Sequence, residues 1–507
     1  MPPRSHFYPL ILALTGALLG IPLEARGAEG CLSCHENAKL NAKIVDPARN
    51  LVLDTRALKK SVHADLDCTD CHNQLADADP AAPHRRKLGP PHCNDCHEQP
   101  AKDYAESVHG AAQAKGLHDM ALCGDCHGAH DIVKVKDPRS RVFKLNLPFT
   151  CAKCHKNPKM ARQHGIHEPR ATDQYMESIH GKGLLKDGLI VSASCTDCHG
   201  SHKIFNHEDK RSKIHHSNVP QTCGKCHLGI QTVYMQSVHG KLLAKGDPRG
   251  AVCIDCHTSH QIIEPTEGIF KLAADERCGS CHKERLKRYL ETYHGKAIAL
   301  GRTRVAACFD CHGHHDIHPA SDPRSHLSKG KILGTCQRCH PKATAGFTGY
   351  LTHADHSDKQ NYPKLYWVYI LMTSLLLGVF GFFGLHTLLW MVRSLVLILR
   401  NPRAFREARR RVRQEKEGKV YVRFRPVDRF THFLVIISFL LLVMTGMPLK
   451  FYYTGWARWM FGWMGGPEVA GALHRLGALI TGIYFLVHLM SLAGALWRRR
   501  KDFRADR

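Results

Sequence analysis

The sequence has no spare cysteine. All 22 of its cysteines lie in CxxCH motifs, so none remains for a disulfide framework. Strand signals are sparse and aliphatic periodicity is weak, which argues against a sandwich or barrel and for short helices joined by long loops. Acidic residues are also few, 45 against 71 Lys and Arg, for a formal charge of +26. That excess is not a nucleic-acid surface. Half of it sits in two short segments beside apolar runs, net +9 over Arg393–Arg429 and +4 over Arg498–Arg507.

What is present is a motif repeated eleven times. The motifs are Cys31, Cys34 and His35; Cys68, Cys71 and His72; Cys93, Cys96 and His97; Cys123, Cys126 and His127; Cys151, Cys154 and His155; Cys195, Cys198 and His199; Cys223, Cys226 and His227; Cys253, Cys256 and His257; Cys278, Cys281 and His282; Cys308, Cys311 and His312; and Cys336, Cys339 and His340. CxxCH is the attachment signature of c-type haem: the two thiols form thioethers and the histidine is the proximal iron ligand. One copy is weak evidence, because zinc sites and disulfides use similar spacings. Eleven copies without a leftover cysteine predict eleven haem c groups, whose 22 propionates outweigh the remaining +13 of the chain.

A second set of histidines recurs with the first. "CGDCHGAHDI", "CTDCHGSHKI", "CIDCHTSHQI" and "CFDCHGHHDI" place His130, His202, His260 and His315 three residues after a proximal histidine. Such a residue cannot reach the far face of its own haem, because the thioethers and proximal ligand hold the chain on the near face. It is expected to serve a neighbour. A box of the form Y-x-x-S-x-H-G recurs as "YAESVHG", "YMESIHG", "YMQSVHG" and "YLETYHG", carrying His109, His180, His239 and His294. Degenerate boxes hold His63 and His353. With His84 or His92, these make eleven candidate distal ligands for eleven irons. Six-coordinate bis-histidine iron suits electron transfer rather than substrate chemistry. No motif departs to CxxCK, the kind of change that marks an open catalytic haem.

The organisation follows. Residues 1–27 read as a signal peptide, with a basic start, an apolar run and small residues near 25–28. Residues 28–355 form the expected periplasmic array: three haem motifs, then four two-haem repeats. Residues 363–393, 428–449 and 471–497 are long and apolar enough to cross a bilayer. With the array outside, the basic stretch 394–427 and the basic tail 498–507 fall in the cytoplasm. The fold class is therefore mainly α, a multihaem array followed by a three-span helical bundle in a bacterial cytoplasmic membrane.

Histidines inside spans are costly and usually functional. His386, His432 and His488 lie toward the inner face and His474 toward the outer. His474 and His488 are 14 residues apart, about 21 Å along a helix and on one side of it. "RFRPVDRFTHFLVIISFLLLVMTGMPLKF" and "LHRLGALITGIYFLVHL" resemble the di-haem cytochrome b subunits of formate dehydrogenase and hydrogenase, and more closely bacterial fusions of multihaem c cytochromes with such a subunit. The likeness covers residues 421–490. It implies that His432 ligates an inner haem b and His474 an outer one. The family takes its opposing ligands from a later helix that is not in this sequence, so one or two haem b sites are expected, completed by His386, by His488 or by a second membrane subunit. The resemblance implies electron exchange between quinol and periplasmic cytochromes, possible in either direction, with a reductase of small oxyanions or nitrogen compounds as the alternative.

Overall fold

The computed structural model describes residues 29–39, 51–79, 88–117, 119–266, 268–415, 424 and 426–505. The expected signal peptide and His84 lie outside these residues. The described chain is helical, without strands. It divides into two compact units, residues 1–218 and 219–507. The first holds six CxxCH motifs. The second holds five, followed by three helices long and apolar enough to cross a membrane.

Each repeat is built from the same parts, and each part has a local cause. A helix bearing the box tyrosine (Glu98–Ala105, Ala171–Glu177, Leu228–Gln236, Lys283–Glu291) ends just before the box serine or threonine. That residue starts a new helix (Val108–Ala114, Ile179–Leu185, Val238–Ala244, Tyr293–Ala299). The hydroxyls of Ser107, Ser178, Ser237 and Thr292 accept from the amides of Gly110, Gly181, Gly240 and Gly295, the N-cap bond that such residues supply. A Cβ on any of these glycines would strike the carbonyl oxygen of the box tyrosine, which explains the invariant H-G pairing of the four boxes. The box histidine thus sits in the first turn of a capped helix.

The tyrosine hydroxyls reach forward. Tyr104, Tyr175, Tyr234 and Tyr289 donate to the carbonyls of Ala121, Ala193, Ala251 and Ala306, each two residues before the next CxxCH. Neighbouring repeats are joined by backbone. The amides of Val62, Val108 and Val238, just before box histidines, donate to the carbonyls of Ile132, Ile204 and Ile317, two residues after the second histidine of a later CHxxH.

Apolar packing is thin. Among the described residues of the array in the second unit, one cluster gathers Tyr289, Ala297, Ile298, Val305 and Ala307. The polar tethers above link the elements within and between repeats.

The long helices run over Pro363–Arg400, Pro426–Lys450 and Pro467–Ala505. The first extends seven residues beyond the expected 393 because the next breakers are Asn401 and Pro402. The basic stretch expected as a loop contains a helix, Pro402–Glu415. Between the second and third spans, the aromatic segment forms a further short helix, Gly455–Trp463, that buries Ala457 and Phe461. The second and third spans pack along each other. The first buries no residue within this chain.

Candidate metal-binding histidine pairs

Five of the six CxxCH motifs with aspartate before the second cysteine are capped by that aspartate; Asp95 makes no such bond. Asp70, Asp125, Asp197, Asp255 and Asp310 accept from the amide three residues earlier, at 2.6–2.8 Å. This fixes both cysteines and the histidine on one short turn. Immediately afterwards, Gly128, Gly200 and Gly313 take φ of 94°, 90° and 87°. The chain therefore reverses after the proximal histidine and carries His130, His202 and His315 away from it. In the third repeat the same position is Thr258, at φ 67°, the one non-glycine with positive φ among the described residues.

The outcome is a set of facing imidazoles. His63 faces His97 with ring centroids 5.9 Å apart, and His72 faces His130 at 6.1 Å. His109 faces His155 at 6.3 Å, and His127 faces His202 at 6.0 Å. In the second unit, His239 faces His282 at 6.3 Å and His257 faces His315 at 6.0 Å. His294 faces His340 at 6.2 Å, and His312 faces His353 at 6.2 Å. Each pair joins one CxxCH histidine to one histidine of the recurring second set. The box histidines 109, 239 and 294 meet the second CxxCH of their own repeat. His202 and His315 meet the first CxxCH of the preceding repeat, and His130 meets the second CxxCH of the leading segment; none meets its own.

His180 and His260 occupy the same register positions in their repeats, at the second residue of the box helix and three residues after His257. His92 is exposed beside Cys93. His35 sets Nδ1 against the carbonyl of Leu51 at 3.1 Å, the kind of contact that orients a ligating imidazole.

Burial, and then the facing imidazole, lowers the pKa of His109, His239, His294 and His312. The same causes push His257 down to about 4. These rings are held neutral, the protonation state that binds metal.

The cysteines lie in sequence order. In the first unit, Cys31 is beside Cys68, Cys71 beside Cys93, Cys93 beside Cys123, Cys126 beside Cys154, and Cys151 within hydrogen-bonding reach of Cys195. In the second, Cys223 meets Cys253, Cys256 lies near Cys278, Cys278 meets Cys308, and Cys311 lies near Cys336. Within each unit, each motif adjoins the next.

The spacing discriminates between metal groups. Two metal–nitrogen bonds of about 2 Å, with each ring centroid about 1 Å behind its nitrogen, put facing centroids roughly 6 Å apart. Two histidines leave the four equatorial positions to another group, as a porphyrin requires. Among the described residues no group of three or more His, Cys, Asp or Glu could hold a bare metal ion, whereas a structural zinc needs four protein ligands. The residues fit haem and do not fit zinc.

In the membrane part, the Thr445 hydroxyl donates to the Leu441 carbonyl at 2.6 Å and accepts from His474 Nδ1 at 2.8 Å. With Nδ1 engaged by Thr445, Nε2 is the nitrogen that would ligate a metal. His474 also lies against Gly446. His386, His432 and His488 are exposed on their helices. No family model, curated protein or solved structure matches the chain.

The sequence reading missed three functional positions: the tyrosine tether, the aspartate cap and the isoleucine carbonyl. Each left a signal, since Y, D and I recur at fixed offsets in the quoted repeats. Recurrence marks a constraint, but only the fold gives its partner.

Proposed function

We propose that this chain is a membrane-anchored multihaem cytochrome that moves electrons between quinol and periplasmic cytochromes at a bacterial cytoplasmic membrane. Eleven haem c groups would be held by the cysteine pairs and proximal histidines, with haem b at His432 and His474. The observation that carries this is the set of eight facing histidine pairs at 5.9–6.3 Å. Haem iron bound by two imidazoles exchanges single electrons and keeps no open position for a substrate. The chain's part is to hold neutral imidazoles at fixed separation and to place consecutive motifs against one another. Thin apolar packing fits the same reading, because the macrocycles would supply much of the missing core. The three apolar helices support the membrane anchor. A second membrane subunit, bearing an outer-side histidine opposite His474, would complete the b site.

Ligation is tested by His130→Ala in the full-length holoprotein. The protein should carry eleven covalent haems, all low spin when oxidised. The variant should gain one high-spin haem, attached at Cys68 and Cys71. Deleting that haem with Cys68→Ala and Cys71→Ala should abolish the new signal, and deleting the haem at Cys123 and Cys126 should leave it. The opposite result would overturn the crossed ligation.

A further inference from the structure

This inference rests on the electron-transfer reading and adds where the array meets the membrane helices. The helix Tyr293–Ala299 has two occupied faces. On one, His294 turns toward His340. Lys296 and Leu300 are four residues apart and so share a face, while His294 is turned away from both by more than a quarter of a turn. That second face lies on the outer ends of the membrane helices. Leu300 is buried with Ala457 and Phe461 of the interfacial helix and Ala470 of the third span, against Leu449 and Tyr452. Lys296 is near Lys450, at the end of the second span. Arg302 pairs with Glu468 at 3.5 Å and donates to the Tyr293 hydroxyl at 3.0 Å. Glu291 lies near Tyr452.

These contacts make a seat rather than a loose tether. Its membrane side is one turn from His474: Ala470 to His474 is about 6 Å of helix, and His294 to Leu300 about 9 Å. The other pair close to the membrane, His312–His353, leads through residues 354–362 to the first span, which buries no residue and carries its histidine toward the inner end. Tunnelling falls off exponentially with separation, so the shortest crossing dominates.

We infer that electrons pass between the membrane helices and the array at the His294–His340 pair, and that Leu300 with Ala457, Phe461 and Ala470, and Arg302 with Glu468, fix that crossing. With haem held at His474 and at His294 and His340, the exchange would be of one electron, lost at one site and gained at the other.

The test uses the full-length holoprotein in native membranes. In the double variant Leu300→Cys and Ala457→Cys, oxidation should join the two positions, so that fragments cut between them separate only on reduction. No cross-link overturns the seat. For the crossing, a water-soluble naphthoquinol is mixed with oxidised protein and the b and c bands are followed separately. In Leu300→Asp and in Glu468→Arg, c-band reduction should slow tenfold or more, with b-band reduction and the low-spin spectrum unchanged. Adding Arg302→Glu to Glu468→Arg should restore much of the rate. Wild-type c-band rates in both single variants, with the cross-link formed, place the crossing elsewhere and overturn the inference. A wild-type protein in which quinol reduces neither band, although dithionite reduces both, overturns the quinol reading and with it the hand-over, while the cross-link still decides the seat.

Discussion

At the scale of the residue, small side chains are fixed by close approach. Gly240 shows the constraint most directly. Its missing Cβ leaves room for the Tyr234 carbonyl, and a methyl there would also sit 2.6 Å from the Met235 Cα. Gly240→Ala should therefore destabilise the holoprotein by about 1–3 kcal/mol, the usual cost of overpacking, read as a lower Tm. Thr258 is the converse case. It holds φ 67° where the other repeats have glycine. Its hydroxyl recovers part of the cost by donating to the Gln261 carbonyl at 2.7 Å. Backbone strain of this kind costs about 1–3 kcal/mol, against about 0.5–1 kcal/mol for the added freedom of glycine in the unfolded chain. Thr258→Gly should accordingly raise Tm, by about 1 kcal/mol in stability. A fall in Tm would show that the Thr258 hydroxyl outweighs the strain. The two glycine positions were written in the sequence as H-G and CH-G, but the physical cause was not legible there. One is a clash with a carbonyl six residues back, in the preceding helix, the other a reversal that aims the next histidine at a different motif.

At the scale of the element, the CxxCH turn is too short to be stable alone. Helices of four or five residues lie far below the length at which propagation outweighs nucleation. The Asp125 carboxylate accepts from the Leu122 amide at 2.7 Å, and the Tyr104 hydroxyl holds the carbonyl of Ala121, just before it, at 2.8 Å. Asp125→Ala should cost about 1 kcal/mol, as loss of an N-terminal cap does. Asp125→Asn, which keeps an acceptor oxygen, should recover most of it. Thermal unfolding of the holoprotein checks both. If Ala and Asn behave alike, charge rather than the hydrogen bond supports the turn. Helical class and the three long apolar elements were legible, because length and composition determine them. The helix Pro402–Glu415 was read as loop because its arginines mask a regular spacing of Phe405, Ala408 and Val412. The Gly455–Trp463 helix shows in the sequence only as an aromatic-rich stretch between two spans. Its burial of Ala457 and Phe461 depends on Leu300, more than 150 residues away in sequence, and no local pattern carries such a contact.

At the scale of the whole molecule, the two parts differ in how complete they are. In the array, each of eight CxxCH histidines already faces a partner. In the membrane part, His474 is oriented by Thr445 through Nδ1, and His386, His432 and His488 are exposed on their helices. His488 is 14 residues from His474, about 21 Å along the same helix, so it cannot oppose His474 across one iron. His386 and His432 both lie toward the other face. The proposed inner haem b would draw its ligands from His432 with His386 or His488, whereas the proposed outer one has His474 alone among the described spans. An intramembrane imidazole without its partner is a costly arrangement. We therefore expect the chain purified alone to retain one haem b at most beside its eleven haem c groups. Extraction with acidified acetone releases haem b and leaves the covalent haem c, so the two are counted separately. A preparation that keeps a second membrane protein should give two haem b per chain, and His474→Ala should lower that number to one without changing the haem c content. Two haem b groups held firmly by the isolated chain would show that it supplies the opposing ligand itself, and no partner would be needed.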